Sequence, residues 1–295
     1  MITRRDTLLG AVALSACAPT AASPEASRRS PDDPRFAAIE RRIGGRVGVA
    51  ALNTARGPWI TYRATDRFAM CSTFKWMLAA HMLYLDMQQP GFRDQQVRFS
   101  ERDLLAYAPA ARMHLARGWM TVEEACEGAV VLSDNTCANL LLAGAGGPQG
   151  FTGFLRANGD AITRLDRTEP ELNVVPPGDE RDTTTPDAMV RTLQRFLLTD
   201  DVLNPASRER LIAWMVDSTT GHERLRAGLL GDWRAGDKTG TWNGEHNATN
   251  DVAIVWPPGR APILIAAYLS ASTVDPAARN AAHAEIARIV AEEWS

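Results

Sequence analysis

Strand-like segments lie near both ends of this chain, and the long stretch between them has helical patterns. Four apolar segments, two near each end, are predicted strands: 46–53, 59–63, 252–256 and 263–270. A turn around Gly57 separates the first two, and Pro257-Pro258-Gly259-Arg260 joins the last two as a hairpin. The simplest architecture is an α/β protein of the α+β, three-layer type. Its antiparallel sheet is built from both chain ends and flanked by helices, with an inserted all-helical subdomain.

The middle of the chain is predicted to be helical, and an amphipathic helix closes it. The predicted helices are 72–87, 121–131, 135–143, 150–157, 186–198, 205–215 and 276–293. Pro186 and Pro205 each follow a capping residue and stand at a first helical position, which proline favours. We therefore expect a single domain, 34–295, with an α/β part at about 34–65 and 216–295 and a helical part at about 66–215.

Residues 1–17 have the pattern of an export signal. Thr3-Arg4-Arg5 supplies a positive start, and the apolar run 8–16 is far shorter than the roughly 20 residues that span a bilayer. The run ends at Cys17 in a context that resembles a bacterial lipobox, whose cysteine receives lipid. The paired arginines fit a twin-arginine signal and an ordinary n-region equally well. We expect a periplasmic or exported protein, with a lipid anchor on Cys17 as one alternative, and a flexible tether over 18–33.

Charge and histidine spacing argue against two other kinds of partner. The 32 lysines and arginines and the 35 acidic residues give a net charge of −3, with no cationic run of the kind that binds nucleic acid. The histidines show no metal-ligand spacing: His81, His114, His222, His246 and His283. We therefore predict no nucleic-acid partner and no metal site.

Only two of the 32 cationic side chains are lysines, Lys75 and Lys238. Arginine stays protonated in proteins, whereas a desolvated lysine can lose its proton and act as a base, so both placements indicate chemistry. Ser72 precedes Lys75 by three residues at a predicted helix start, which puts the two side chains on one face. The helix N-terminus favours negative charge developing on the serine oxygen. A neutral Lys75 could take the serine proton, although this spacing alone is a weak signal.

Two further motifs make the pattern specific. Ser133-Asp134-Asn135 begins a predicted helix, and Lys238-Thr239-Gly240 lies on a predicted strand. With Ser72-Thr73-Phe74-Lys75 they form the S-x-x-K, S-D-N and K-T-G set of penicillin-recognising serine enzymes. From about Pro34 to the C-terminus the chain resembles class A serine β-lactamases, including over 131–136 and 164–173. The resemblance implies a β-lactamase/transpeptidase-like fold, a monomer and no cofactor.

The resemblance implies hydrolysis of β-lactam antibiotics through an acyl-serine intermediate, with penicillins as substrates and cephalosporins compatible with Thr241. The implied catalytic residues are Ser72, Lys75, Ser133 and Glu169. The implied substrate-binding residues are Asn135, Asn173, Lys238, Thr239, Gly240, Thr241, Arg224 and Tyr107. Backbone N–H groups of Ser72 and Thr241 would form the oxyanion hole, and Ser133 would give a proton to the lactam nitrogen. Asp134 is expected to orient its loop rather than touch substrate.

Residues 164–184 form the longest predicted stretch without regular structure, and a connection of this length is usually functional or disordered. An ion pair between Arg167 and Asp182, near its two ends, would make it an Ω-loop.

This loop decides whether the acyl group is released. The resemblance implies that Glu169 and Asn173 hold the hydrolytic water and that the Glu169–Pro170 bond is cis. The alternative for Glu169 is a solvated loop side chain. Whether Lys75 or Glu169 is the base for acylation stays open.

The cysteines of the predicted domain depart from the family pattern. Cys71 would pair, in carbapenem-hydrolysing members, with a cysteine at the position of Trp242, and the commoner family disulfide would join Cys126 to the position of Ala79. Both absences weaken a claim to carbapenem hydrolysis without excluding it. Cys126 and Cys137 are interpreted as buried small side chains, with a disulfide as the alternative.

Three further positions leave alternatives open. Arg224 matches a family position whose guanidinium grips the substrate carboxylate, and a surface charge is the alternative. Tyr107 matches an aromatic residue that lines the substrate entry, and a core tyrosine is the alternative. Trp242 should either narrow the site or push the following loop outward.

Two other functions use the same serine and lysine. One is a peptidoglycan carboxypeptidase or esterase, and the other is an antibiotic sensor that is acylated once. Glu169 and Asn173 argue against the first, because they would supply fast deacylation. The sensor would normally need an attached transmembrane segment, which the sequence does not predict.

Overall fold

The computed structural model describes residues 32–55 and 59–295. The predicted export signal, Cys17, most of the predicted tether and the turn at Gly57 lie outside the described residues. No helix within the described ranges is both long enough and apolar enough to cross a membrane.

Helices and strands cover most of the described residues. The α-helices are α1 (Pro34–Ile43), α2 (Phe74–Gln88), α3 (Pro109–His114), α4 (Val122–Val131), α5 (Asn135–Gly144), α6 (Gly147–Ala157), α7 (Pro186–Leu198), α8 (Pro205–Val216), α9 (Leu225–Gly228) and α10 (Pro276–Trp294). The strands are β1 (Arg46–Asn53), β2 (Trp59–Tyr62), β3 (Phe68–Ala69), β4 (Gln96–Arg98), β5 (Trp119–Thr121), β6 (Thr183–Thr184), β7 (Arg234–Trp242), β8 (Ala248–Trp256) and β9 (Ile263–Ser270).

The main sheet is antiparallel and joins the two ends of the chain. Its strand order is β2-β1-β9-β8-β7, so the N-terminal strand β1 pairs with the last strand β9 along its whole length, from Arg46 opposite Ser270 to Asn53 opposite Ile263. The strands β3–β6 and β4–β5 form two small pairs outside this sheet. The predicted sheet from both chain ends is confirmed, and β7, which carries Lys238, lies at its edge.

Two apolar clusters on opposite faces of the sheet make the fold three layers deep. Phe36 and Ile39 of α1 pack with Ile286 and Val290 of α10 against one face. A larger cluster on the other face combines α2, α7 and the remaining helices of the helical part, and it includes the fully buried Trp76. The predicted three-layer arrangement with inserted helices is therefore confirmed.

The predicted boundaries differ from the observed ones by more than one residue at three elements. A 3₁₀ turn at Cys71–Thr73 precedes α2, which therefore begins at Phe74 rather than at residue 72. The helix α6 begins at Gly147 instead of residue 150, because Pro148 near its start suits a first turn. The strand β8 begins at Ala248 rather than residue 252, since its first half is polar yet buried and does not show an apolar strand pattern.

The two proline starts are confirmed in detail. The Thr185 hydroxyl accepts the N–H of Ala188 at 3.2 Å, and Asn204 Oδ1 accepts the N–H of Ser207 at 2.9 Å. Each side chain caps a helix whose first residue is proline, α7 and α8 respectively.

Candidate active site

A cleft of about 370 Å³ lies between the helical part and strand β7. Its lining residues are Ser72, Tyr107, Ser133, Asn135, Glu169, Asn173, Thr220, Arg224, Thr239, Gly240, Thr241 and Asn243. The two predicted residues that do not line it, Lys75 and Lys238, are fully buried and each contacts Ser133 of the lining. The structure thus brings all twelve predicted site residues together.

Ser72 is presented by a strained turn at the start of α2. It is the middle residue of the 3₁₀ turn Cys71–Thr73, and Cys71 before it has φ of 45°, a left-handed conformation that is costly for a residue with a side chain. Gly240 of β7 lies directly against this turn. A Cβ atom there would lie 2.6 Å from the carbonyl oxygen of Met70 and 3.2 Å from the backbone nitrogen of Ser72. Glycine therefore lets β7 approach the serine closely enough for Thr241, the next residue, to line the cleft.

Lys75 lies among three acceptors beneath Ser72. Its Nζ donates to Ser133 O at 2.9 Å and to Asn135 Oδ1 at 2.5 Å, and it lies 3.0 Å from Glu169 Oε1. Three acceptors match the three donors of an ammonium group, so this geometry suits a charged Lys75 rather than the neutral lysine considered from the sequence. The Ser72 hydroxyl has its contact with Glu169 Oε1 instead, at 3.4 Å.

Ser133 lies between the two lysines. Lys238 Nζ donates to its hydroxyl at 2.9 Å, whereas Lys75 reaches its backbone carbonyl. Burial first, and then the nearby charge of Lys75, lower the pKa of Lys238 to about 7 from its usual 10.5. Near neutral pH, Lys238 is therefore present in both its charged and its neutral form.

The Ω-loop places Glu169 inside the protein. The Glu169 side chain is buried, its Oε2 accepts a hydrogen bond from Asn173 Nδ2 at 2.6 Å, and the Glu169–Pro170 bond is cis as predicted. Asn139 of α5 fixes the backbone of the same residue, since its Oδ1 accepts the Glu169 N–H and its Nδ2 donates to the Glu169 carbonyl, both at 2.9 Å. A solvated Glu169, the alternative left open by the sequence, is therefore wrong.

The predicted ion pair at the ends of this loop is present. Arg167 Nε lies 2.6 Å from Asp182 Oδ2, and the Asp182 carboxylate also accepts the backbone N–H groups of Asp166 and Arg167. Asp182 is fully buried, so the loop is closed by a desolvated carboxylate with several donors around it.

Arg224 supports β7 at the far end of the cleft. Its Nη1 donates to the carbonyls of Gly240 and Asn250 at 3.1 and 2.7 Å, and its Nη2 donates to the Thr241 hydroxyl at 2.6 Å. Asn280 of α10 accepts from its Nε at 3.0 Å. Burial lowers the pKa of this guanidinium, which is 8% exposed, so the surface-charge alternative is wrong.

Comparison with known proteins agrees with this geometry. The profile of the β-lactamase enzyme family matches residues 33–294. β-Lactamase L2 of Stenotrophomonas maltophilia is 48% identical over 255 residues, which cover 86% of this chain and 83% of L2. β-Lactamase AST-1 of Nocardia asteroides is 46% identical over 260 residues, with 88% and 83% coverage. The solved structure of an ancestral class A β-lactamase superposes with a TM-score of 0.84 at 53% identity, covering 88% of this chain and 98% of that structure.

The chain belongs to the class A β-lactamases.

As in the family pattern inferred from the sequence, Tyr107 stands at the entry of the cleft. Its side chain is 51% exposed and lines the cleft, so the core-tyrosine alternative is wrong. Asp134 has the orienting role expected of it. Its two carboxylate oxygens accept the N–H groups of Cys137 and Ala111 at 2.8 and 2.9 Å, which caps α5 and ties α3 to the second motif.

The cysteines of this β-lactamase are free thiols wherever the structure describes them. Cys126 and Cys137 are buried small side chains, as interpreted from the sequence, and the disulfide alternative is wrong. Cys71 is also buried, and burial raises its pKa well above the usual range of a thiol. Trp242 does not line the cleft, so of the two effects considered for it, narrowing of the site is wrong.

Three contributors to this class A site were missed from the sequence. Thr220 lines the cleft and shares a 2.6 Å hydrogen bond with the Thr239 hydroxyl. Asn243 lines the cleft with its Oδ1 2.8 Å from Arg279 Nη2. Asn139 holds Glu169 without lining the cleft. A threonine or asparagine outside the three motifs carries no sequence signal of its own. No group of three or more His, Cys, Asp or Glu side chains able to hold a metal occurs in the described part of the chain.

Proposed function

We propose that this β-lactamase hydrolyses penicillins and cephalosporins through an acyl-enzyme on Ser72, and that Glu169 activates the water that releases the product. The observation that supports this most is the position of Glu169. One carboxylate touches the Ser72 hydroxyl at 3.4 Å, pairs with Lys75 at 3.0 Å and accepts from Asn173 at 2.6 Å. A single buried carboxylate can therefore serve both the serine and a water molecule beside it.

Acylation begins when Ser72 Oγ attacks the lactam carbonyl carbon and loses its proton. The contact with Glu169 Oε1 favours that carboxylate as the acceptor, with Lys75 stabilising the charge between them. Negative charge develops on the carbonyl oxygen, and the backbone N–H groups of Ser72 and Thr241 stabilise it. Gly240 lets these two segments approach each other. The carbon–nitrogen bond then breaks, and the Ser133 hydroxyl gives its proton to the lactam nitrogen. Lys238, which donates to that hydroxyl, stabilises the resulting oxygen anion. The proton that Glu169 took from Ser72 returns to the Ser133 oxygen by way of Lys75, which contacts both residues, so Glu169 is a carboxylate again before deacylation.

Deacylation needs a water molecule next to the ester carbonyl. Glu169 takes a proton from this water, whose oxygen attacks the carbonyl carbon, and Ser72 regains its proton as the ester bond breaks. Asn173, four residues after Glu169, offers an amide beside the same carboxylate. The Asn139 clamp on the Glu169 backbone supports this geometry, because a base must be held within hydrogen-bonding distance of the water.

Substrate recognition would use a cationic end of the cleft. Lys238, Thr239, Thr241 and Arg224 form a group that suits the carboxylate of a β-lactam, with Arg224 acting both on the carboxylate and through the Thr241 hydroxyl. Asn135 would hold the amide of the substrate side chain by donating from Nδ2 to its carbonyl oxygen, because its Oδ1 already accepts a hydrogen bond from Lys75. The free Cys71 opposite Trp242 keeps carbapenems outside this proposal, although one relative, 44% identical over 257 residues, is a carbapenem-hydrolysing β-lactamase of Klebsiella oxytoca.

We further propose that the enzyme is exported to the periplasm as a monomer and that Cys17 anchors it through lipid. The sequence pattern of residues 1–17 supports export and the anchor, and the resemblance to the family supports the monomer. Cell fractionation of the full chain and of Cys17→Ser tests the anchor. Membrane recovery of the former and soluble periplasmic recovery of the latter are expected, and equal solubility of both would contradict it.

Intact-protein mass and substrate loss, measured together with excess benzylpenicillin, test the proposed reaction. Many substrate molecules consumed per enzyme with little mass added is the expected result, and Ser72→Ala should abolish both turnover and adduct. One persistent adduct without turnover would contradict the role of Glu169 and favour a sensor or a carboxypeptidase.

A further inference from the structure

Trp242 is the last residue of β7 and turns away from the cleft. It pairs with Ala248 of β8, and its neighbours Thr241 and Asn243 both line the cleft while it does not. Side chains along a strand point to opposite faces in alternation, so a tryptophan next to Thr241 must find another place to bury its ring.

The β7–β8 hairpin is closed over the indole. A Cβ atom at Gly244 would lie 2.4 Å from Cζ2 and 2.6 Å from Cε2 of Trp242, so the ring fills the space that any other residue at this position would need. The indole Nε1 also donates to the Glu245 carbonyl at 3.0 Å. The ring is therefore held between strand β7 and its own turn.

The same side chain packs on a small apolar cluster that two catalytic segments share. Ala69, Cys71 and Ala248 form the buried part of this cluster, and Trp242 and Val175 pack against it. Cys71 directly precedes Ser72, and Val175 stands two residues after Asn173 in the Ω-loop. The cluster therefore joins the serine turn, the Ω-loop and the hairpin at one point.

The polar contacts of the Ω-loop do not reach the β7–β8 hairpin. Asn139 fixes Glu169, and Asp182 with Arg167 closes the ends of the loop. No hydrogen bond joins residues 174–180 to the β7–β8 hairpin in the described ranges. Arg167 Nη2 donates to the Val174 carbonyl at 2.9 Å, and Arg67 lies 3.6 Å from Glu180, but neither contact involves the hairpin. Apolar packing is thus what joins residues 174–180 to the β7–β8 hairpin.

We propose that Trp242 is a positioning residue for deacylation. Its indole, held in place by the turn at Gly244, packs on the cluster of Ala69, Cys71 and Ala248 and keeps residues 174–180 of the Ω-loop in place. This packing keeps Glu169 and Asn173 aligned with the acyl group on Ser72. This inference rests on the proposed function and adds to it a residue that contacts neither substrate nor water.

The expected effect of Trp242→Ala is selective. Deacylation should slow by about 10- to 100-fold, the range that a misplacement of roughly 1 Å can cause, while acylation changes less. When deacylation limits turnover, kcat and KM fall together and kcat/KM is nearly kept. A merely destabilised enzyme would lose active molecules, which lowers kcat and leaves KM unchanged. Mass spectrometry during turnover of benzylpenicillin should show accumulated acyl-enzyme.

Matched variants separate this role from the loss of any tryptophan. Trp256, half-buried at the opposite end of β8 under Arg234, is the control, and Trp256→Ala should leave the kcat-to-KM pattern unchanged. Trp242→Phe, which keeps an apolar ring, should recover part of the deacylation rate.

Gly244→Ala provides a second route to the same effect. Its methyl group would meet the indole, so this variant should also accumulate acyl-enzyme, yet it should add nothing in the Trp242→Ala background, where the clash is gone.

Three results would overturn the inference: unchanged kcat and KM in Trp242→Ala, a parallel loss of kcat and kcat/KM in that variant without adduct, or equal effects of Gly244→Ala in both backgrounds. Failure of the proposed function is distinguishable, since it would appear in the unmodified protein as missing turnover.

Discussion

Lys75 Nζ and Glu169 Oε1 lie 3.0 Å apart, and both side chains are completely removed from solvent. The lysine comes from the first turn of α2 and the glutamate from the Ω-loop. This pair therefore connects the segment that carries the nucleophile with the segment that carries the proposed base for deacylation. A buried charge that loses its partner is strongly destabilised, which makes each of these two groups depend on the other.

Asn139 should matter for release although it does not line the cleft. Asn139→Leu removes both hydrogen bonds to the Glu169 backbone at nearly constant volume, so the carboxylate loses its fixed position. Deacylation of benzylpenicillin should slow about tenfold or more, visible as acyl-enzyme in mass spectra during turnover. Asn158→Leu is the control, because it removes a side-chain hydrogen bond to the Phe154 carbonyl that lies outside the cleft. Unchanged deacylation in Asn139→Leu would argue that the Ω-loop holds Glu169 without this clamp.

Asp182 should be the most costly carboxylate to remove from the Ω-loop. Asp182→Ala leaves Arg167 Nε and two backbone N–H groups without their acceptor, so the free energy of unfolding should fall by about 3 kcal/mol. Urea denaturation measures the loss. Asp179→Ala breaks an exposed pair with Arg181 in the same loop and should change stability little. Equal losses in the two variants would contradict the assignment of Asp182 as the closure of the loop.

Lys238 should give kcat/KM a pH dependence near neutrality. Its pKa is about 7, and only the charged form attracts a substrate carboxylate, so kcat/KM should fall as pH rises through about 7. Lys238→Arg stays charged, and its profile should lack this fall even if its maximum is lower. A fall at the same pH in the arginine variant would assign it to another group.

The same pKa has a consequence for stability. Between about pH 7 and 10.5 the unfolded chain holds a proton on Lys238 that the folded protein has released. The contribution of this group to stability therefore rises with pH across that window, and Lys238→Met should remove this part of the slope in urea denaturation.

Much of the fold and of the site could be predicted from the sequence. The strand patterns at 46–53 and 263–270 have the observed bounds, because apolar runs between turn residues determine buried strands. The three motifs predicted the residues at the centre of the cleft. Helix α1 was missed although Asp33, Pro34 and Gly44 supply its cap, its first residue and its left-handed end.

Other features needed the folded chain. Asn139 and Glu169 are thirty residues apart, and only the packing of the Ω-loop on α5 brings their amide and backbone together. The direction in which the Trp242 side chain points depends on which face of β7 borders the cleft, and this cannot be predicted from the sequence of the strand. The acceptors around Lys75 come from two other segments, the Ser133-Asp134-Asn135 motif and the Ω-loop, so its surroundings could not be derived from its own helix.

The most direct test of the central claim is the mass of Glu169→Ala after mixing with excess benzylpenicillin, followed by peptide mapping. Glu171→Ala, an exposed glutamate two residues further along the Ω-loop, is the matched control. The account predicts one persistent adduct on Ser72 in Glu169→Ala, and full turnover without adduct in Glu171→Ala. Turnover by Glu169→Ala at the rate of the unmodified enzyme, or an adduct on a residue other than Ser72, would contradict it.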